Sequence, residues 1–286
     1  MKRLWEATQD PSMHRRWDLR FTDIDYLPRR SESDPQRFRY ATRIGFGLRV
    51  QGEGESVGTR ERDGERTSAL RFWSNSPWSL IRAGSGYWRY VPVGDGVRFL
   101  TLYDYDTRHG RVGKLVDGIA FRPLLGWATA WSFDRLRLWL ERGVEPELAF
   151  ERTLTHWIAR AGLAIVWLYH GIVPKLVTSA GEIEIAARTG VPAAVAPSFV
   201  LAAAIAEILL GLAFVIARDA RPFLWLSGGL GLALAAITGA TDPALLSAPF
   251  QPVTLGIAMA ALAAIGLLTA RDLPRARSCL RKVPTR

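Results

Sequence analysis

The sequence predicts two parts of different class: an α+β domain over the first half, then an all-α bundle of four transmembrane helices. Three observations carry this expectation. Charge is concentrated early, and from about Ile158 to Ala270 it gives way to Ala, Leu, Ile, Val and Gly. Four apolar stretches, each close to the ~20 residues a bilayer requires, follow one another in that second part. The polar half reads as helix, then runs of alternating residues broken by Gly, Pro, Asn and Asp, then helix again. A chain of 286 residues suits two modest domains. The expected division is a cytoplasmic domain at 1–147, a membrane domain at 148–270 and a basic cytoplasmic tail at 271–286.

In the polar half, LWEATQDPSMHRRWD (4–18) is helical in texture, and Asp10-Pro11 opens a second turn with proline at its first helical position. Strand-like runs follow at 20–27, 37–46, 48–61, 67–73, 84–93 and 97–107. GDG (94–96) reads as a tight hairpin turn. A helical period returns from Arg111 to Glu141, carried by Leu115, Ile119, Leu124, Trp127, Trp131 and Leu138, with a kink expected at Pro123.

The apolar stretches lie at 157–176, about 196–217, 222–240 and 250–270. Lys and Arg gather before or at the opening of the first (Arg152, Arg160), between the second and third (Arg218, Arg221) and after the fourth. The other two loops carry only Arg188 beyond Lys175. This asymmetry predicts both termini inside and an inner-membrane location. Small residues recur every four positions at Gly231, Ala235 and Gly239, and again at Gly256, Ala260 and Ala264, which predicts close packing of spans three and four.

Glu207 stands in the middle of the second stretch, about 16 Å deep at 1.5 Å per residue. A bare carboxylate there costs several kcal/mol, so it must be protonated, paired or open to a wet cavity. Tyr169, His170 and Lys175, near the end of the first span, are its candidate partners. The group is either a clasp between two helices or a polar site for a head group, a quinone carbonyl or a proton. A histidine beside a carboxylate adds to the second reading.

WLYHGIVPKL (167–176), AEILLGL (206–212) and PFQPVTLGIAM (249–259) resemble the DoxX-like membrane family. The resemblance covers about 155–270 and implies a four-helix membrane bundle in which Gly171, Lys175 and Glu207 occupy the family's characteristic places. Gln251 stands where an asparagine is expected, which weakens any role for an amide there. Sulfur or quinone redox chemistry enters only as an implication of family. WEATQDP (5–11) and RWDLRF (16–21) resemble the START-like (SRPBCC) superfamily, which includes polyketide cyclases and lipid-transfer domains. That resemblance implies a helix-grip fold whose long helix closes an apolar cavity over the sheet. Its candidate lining is Trp73, Trp88, Tyr90, Phe99, Tyr103, Trp127 and Trp131, which serve equally well as a solid core. The superfamily's first strand has no counterpart before Leu4, so either the strand is missing or translation begins upstream.

The sequence also excludes some function classes. Net charge is +10, but RERDGER (60–66) and similar runs mix signs and no nucleic-acid motif occurs, so no nucleic-acid partner is expected. The single cysteine, Cys279, rules out an intrachain disulfide, and no metal-ligand spacing is present. MKRLWEATQD has no apolar core after its basic residues and is not a signal peptide. Nucleophile-elbow, zincin, Walker and dinucleotide motifs are absent, so a catalytic role finds no support. The expectation is a DoxX-like membrane protein with a hydrophobic-ligand-binding cytoplasmic domain, whose partners are membrane lipids, an apolar small molecule such as a quinone or lipid, and a membrane redox partner. The alternatives are a quinone-linked oxidoreductase subunit, a cyclase-like enzyme and a small proton-coupled transporter.

Overall fold

The computed structural model describes residues 1–45, 47–241, 243–247 and 251–280. It forms two compact units, Met1–Glu147 with Pro274–Arg286, and Leu148–Leu273.

The first unit opens with α1 (Lys2–Gln9) and α2 (Pro11–Trp17). The Asp10 carboxylate accepts from the Ser12 N–H at 2.8 Å and caps α2, with Pro11 at its first position. Six antiparallel strands follow in chain order: β1 (Asp23–Tyr26), β2 (Arg37–Gly45), β3 (Leu48–Arg62), β4 (Glu65–Trp73), β5 (Ile81–Val93) and β6 (Gly96–Thr107). The run at 20–27 shortens to four residues because Asp18 holds the start of the run in a turn, accepting from the Arg20 N–H and guanidinium. Gly94, at φ +54°, makes the β5–β6 turn.

Behind the sheet come α3 (Gly110–Val116), a π turn at Asp117–Phe121 and α4 (Arg122–Arg142). Pro123 follows closely on the π turn, so the irregularity expected for its missing N–H sits just before it. The core is ring on ring. Trp88, Tyr90 and Phe99 from the sheet meet Trp17 and Phe133 from the helices, with centroids 4.6–6.3 Å apart among their contacts. Each buried Trp or Tyr also needs a partner for its polar atom. Trp17 donates to the Ala7 carbonyl at 2.8 Å, and the Tyr90 hydroxyl lies 2.7 Å from that of Thr8. Asp18, 1% exposed, is held far below the usual carboxylate range by Arg20 and His14, against the opposing pull of its burial. Residues 274–280 return to this unit: the Arg275 N–H donates to buried Asp134 at 2.8 Å and the Cys279 thiol to the Ala130 carbonyl at 3.1 Å. Arg281, Lys282 and Arg286 of the expected basic tail lie outside the described residues.

The second unit contains α5 (Pro146–Ile172) from Leu148 on, a π turn at Val173–Val177, α6 (Ser179–Arg188), α7 (Ala196–Ile216), α8 (Arg221–Thr241) and α9 (Pro252–Leu268). Among the described residues, three helices are long and apolar enough to cross a membrane: α5 with its π turn, α7 and α8. The expected fourth span becomes a 17-residue helix, and its expected first residue, Phe250, lies outside the described residues.

The hydrogen bonds and close approaches order these helices around α5. Arg160 and Leu168 of α5 lie against Phe214 and Gly211 of α7, an antiparallel pairing. His156 and Gly162 of α5 lie against Gly266 and Leu262 of α9, again antiparallel. Trp167 of α5 donates to Ser227 of α8 at 2.9 Å. Helices α8 and α9 approach until a Cβ on Gly231 would stand 2.9 Å from the Gly256 carbonyl oxygen. The buried face of α9 is Gly256, Met259, Ala263 and Gly266; Ala264 of the expected small-residue stripe is exposed.

A lysine between two carboxylates in the helical unit

Pro174 lacks an amide hydrogen, and the chain at the end of α5 widens into the π turn Val173–Val177, closed by the Thr178 N–H on the Val173 carbonyl at 3.0 Å. One turn earlier, Gly171 lets α5 press against α7: a Cβ there would stand 2.8 Å from the Ala204 carbonyl oxygen. Together these two features bring Lys175 alongside α7. Its Nζ lies 3.2 Å from Glu207 Oε1 and 3.3 Å from Glu182 Oε2. The Lys175 and Glu207 side chains are only 11% and 14% exposed, so this is an internal cluster rather than a surface pair. Glu207 Oε2 is buried and has no hydrogen-bond partner among the described residues.

Of the four polar residues singled out in the sequence, two meet here and two stand aside. Tyr169 is 56% exposed and its ring contacts that of the half-buried His170, 5.9 Å centroid to centroid. No hydrogen bond joins either residue to Glu207 among the described residues. The sequence reading missed Glu182. It lies on α6, a short helix in the stretch between the first two apolar segments, and the Glu-Ile alternation in GEIEIAA has the period of a strand, so no helical signal marks it.

The opposite end of the same unit holds hydrogen-bond donors of another kind. Arg160, 4% exposed, donates to the Phe214 carbonyl at 2.7 Å and the Ala217 carbonyl at 2.9 Å, over the ring of Trp157. His156 Nδ1 lies 2.9 Å from the Gly266 carbonyl oxygen and therefore carries the proton. Arg221 donates to the Ala270 carbonyl at 3.0 Å. These groups satisfy the orphan carbonyls where α7 and α9 end and oppose their helix dipoles. Arg160, expected as a charge flanking the first span, is instead a buried structural donor.

In the sheet unit the aromatic candidates divide. Trp88, Tyr90 and Phe99 belong to the filled core just described. Tyr103 is half-buried, with its hydroxyl 3.3 Å from that of Thr129 on α4. Trp131 is 5% exposed and stacks at 6.4 Å on Trp127, which is 44% exposed. Trp73 is on the other face of the sheet. Strand alternation sends Phe72 and Trp73 to opposite sides, and Trp73 lines a shallow polar cleft with Arg39, Gln51 and Glu53. It is not part of any lining shared with Trp88 or Tyr90. Among the described residues no group of three or more His, Cys, Asp and Glu could hold a metal ion.

A helical unit with three helices of membrane-spanning length and a charged cluster enclosed within it defines a membrane protein. Residues 164–264 match the family model described as "DoxX-like family", and the chain belongs to that family. It is 45% identical over 188 residues to "Uncharacterized membrane protein YndG" of Bacillus subtilis (strain 168), covering 64% of this chain and 70% of that protein. An alignment of 188 residues is longer than either compact unit, so the likeness extends into both. No solved structure matches the chain.

Proposed function

We propose that the protein is a four-span binding protein of the bilayer, whose helical unit takes the polar head of an apolar molecule at Glu207 and Lys175. The observation that carries this reading is the buried, unpartnered Oε2 of Glu207. A carboxylate oxygen shut away from water without a donor is costly to leave so, and a ligand that brings an O–H or N–H removes that cost. A quinol hydroxyl or the head group of a lipid supplies such a donor, and its apolar tail suits the surrounding helices. Two points support a fourth crossing. Helix α9 runs antiparallel along α8 from Val253 opposite Gly239 to Ala270 beside Arg221. An even number of crossings also agrees with the Lys/Arg distribution, which favours both termini inside.

For the sheet unit the proposal is a START-like helix-grip domain, supported by the order of two short helices, an antiparallel meander and a long final helix. Its apolar ligand would lie not among Trp88, Tyr90 and Phe99 but along the half-buried rings of Phe38, Tyr40, Phe72, Tyr103 and Tyr105. Native mass spectrometry of protein released from mild detergent tests the membrane site. The expected result is an adduct with an apolar tail and a hydroxyl or amine head on the wild type, lost in Glu207→Gln. The same spectrum from both proteins contradicts the reading.

A further inference from the structure

The helix that leads from β6 to the long α4 is amphipathic in the wrong sense for a helix folded onto a sheet. Its inward residues are small or polar: Gly113 and Asp117 are buried, and Asp117 accepts a hydrogen bond from Tyr105 of β6 at 2.6 Å. Its outward residues are apolar: Val112 is 68% exposed, Leu115 62%, Val116 47%, Ile119 73%, Leu124 61% and Trp127 44%. The positions recur at helical spacing through the π turn, so they form one continuous ridge. Burying side chains of this size is favourable, and here the fold of the unit leaves that free energy unused. A contiguous exposed apolar strip of this kind marks a contact surface.

We propose that this ridge beds into the interfacial region of an anionic lipid leaflet. The surrounding charges select that partner. Arg111, Lys114 and Arg122 are exposed along the same stretch, while its one acid, Asp117, is 3% exposed and paired with Arg122 at 2.9 Å. An apolar face edged by cations, with its one acid already neutralised by Arg122 and a tryptophan at one end, is the composition of a helix lying in the plane of a bilayer surface. The ridge and the membrane-length α5 belong to one chain, and α5 begins at Pro146, four residues after α4 ends at Arg142.

The full chain in lipid vesicles tests the inference. In a Cys279→Ser background, Ile119→Cys is labelled with an environment-sensitive fluorophore, Leu115→Cys provides a second position, and Val57→Cys, 54% exposed on β3, serves as reference. In vesicles of phosphatidylcholine with phosphatidylglycerol, spin-labelled lipid should quench the label at 119 and at 115 at least threefold more than the label at 57. In phosphatidylcholine alone the excess should fall at least twofold. Quenching by aqueous iodide equal to that at 57 would overturn the proposal. Protection from both quenchers would overturn it too, because protein rather than lipid would then cover the ridge. Equal lipid quenching in both vesicle types would overturn the assignment to an anionic surface.

Discussion

The two ends of the helical unit both hold ionisable side chains among apolar helices and use them differently. At one end Arg160, His156 and Arg221 lie against backbone carbonyls where α7 and α9 finish. That end is closed: among the described residues no buried side-chain nitrogen or oxygen there lacks a partner. At the other end Lys175 lies between Glu182 and Glu207, and one carboxylate oxygen is left over. A charge in lipid is therefore not by itself a sign of function. What separates the ends is whether the hydrogen-bond inventory comes out even.

Substitution at both ends sharpens this contrast. Arg160→Met should have the largest effect. It removes two bonds from a buried cation and leaves the carbonyls of Phe214 and Ala217 without donors, a loss of about 3 kcal/mol. Thermal unfolding in detergent measures it. Arg221→Met breaks one bond made from an exposed position, so a loss of ~1 kcal/mol is expected in the same assay. Glu207→Gln should cost least, below ~1 kcal/mol, because Lys175 keeps Glu182 as its counter-charge and the amide remains an acceptor for Nζ. A loss for Glu207→Gln as large as that for Arg160→Met would erase the contrast and make the cluster a clasp between α5 and α7.

Local signals in the sequence were enough for much of the fold. Proline after Asp10, the GDG turn and period-two runs mark the first unit, and length with low charge marks α7 and α8. The pairing of Lys175 with Glu207 was also within reach, because few polar residues share that part of the apolar region. What escaped depends on contacts between distant segments. Glu182 joins the cluster only because α6 folds back toward α7. Arg160 bonds to backbone carbonyls, which carry no residue-specific signature. Leu115, Ile119, Leu124 and Trp127 do repeat as a helix does, yet the period alone cannot say whether the apolar face turns inward. The side-chain hydrogen bond from Tyr105 to Asp117 decides that it turns out. Trp73 is the exception, since its adjacency to Phe72 in a strand already assigns the two rings to opposite faces.

The most direct test of the open end is the melting temperature of the wild type and Glu207→Gln, each with and without a short-chain quinol. The account predicts nearly equal melting temperatures without ligand, a rise for the wild type on adding quinol, and no rise for the variant. A variant that melts far lower without ligand, or that gains as much from quinol as the wild type, would contradict it.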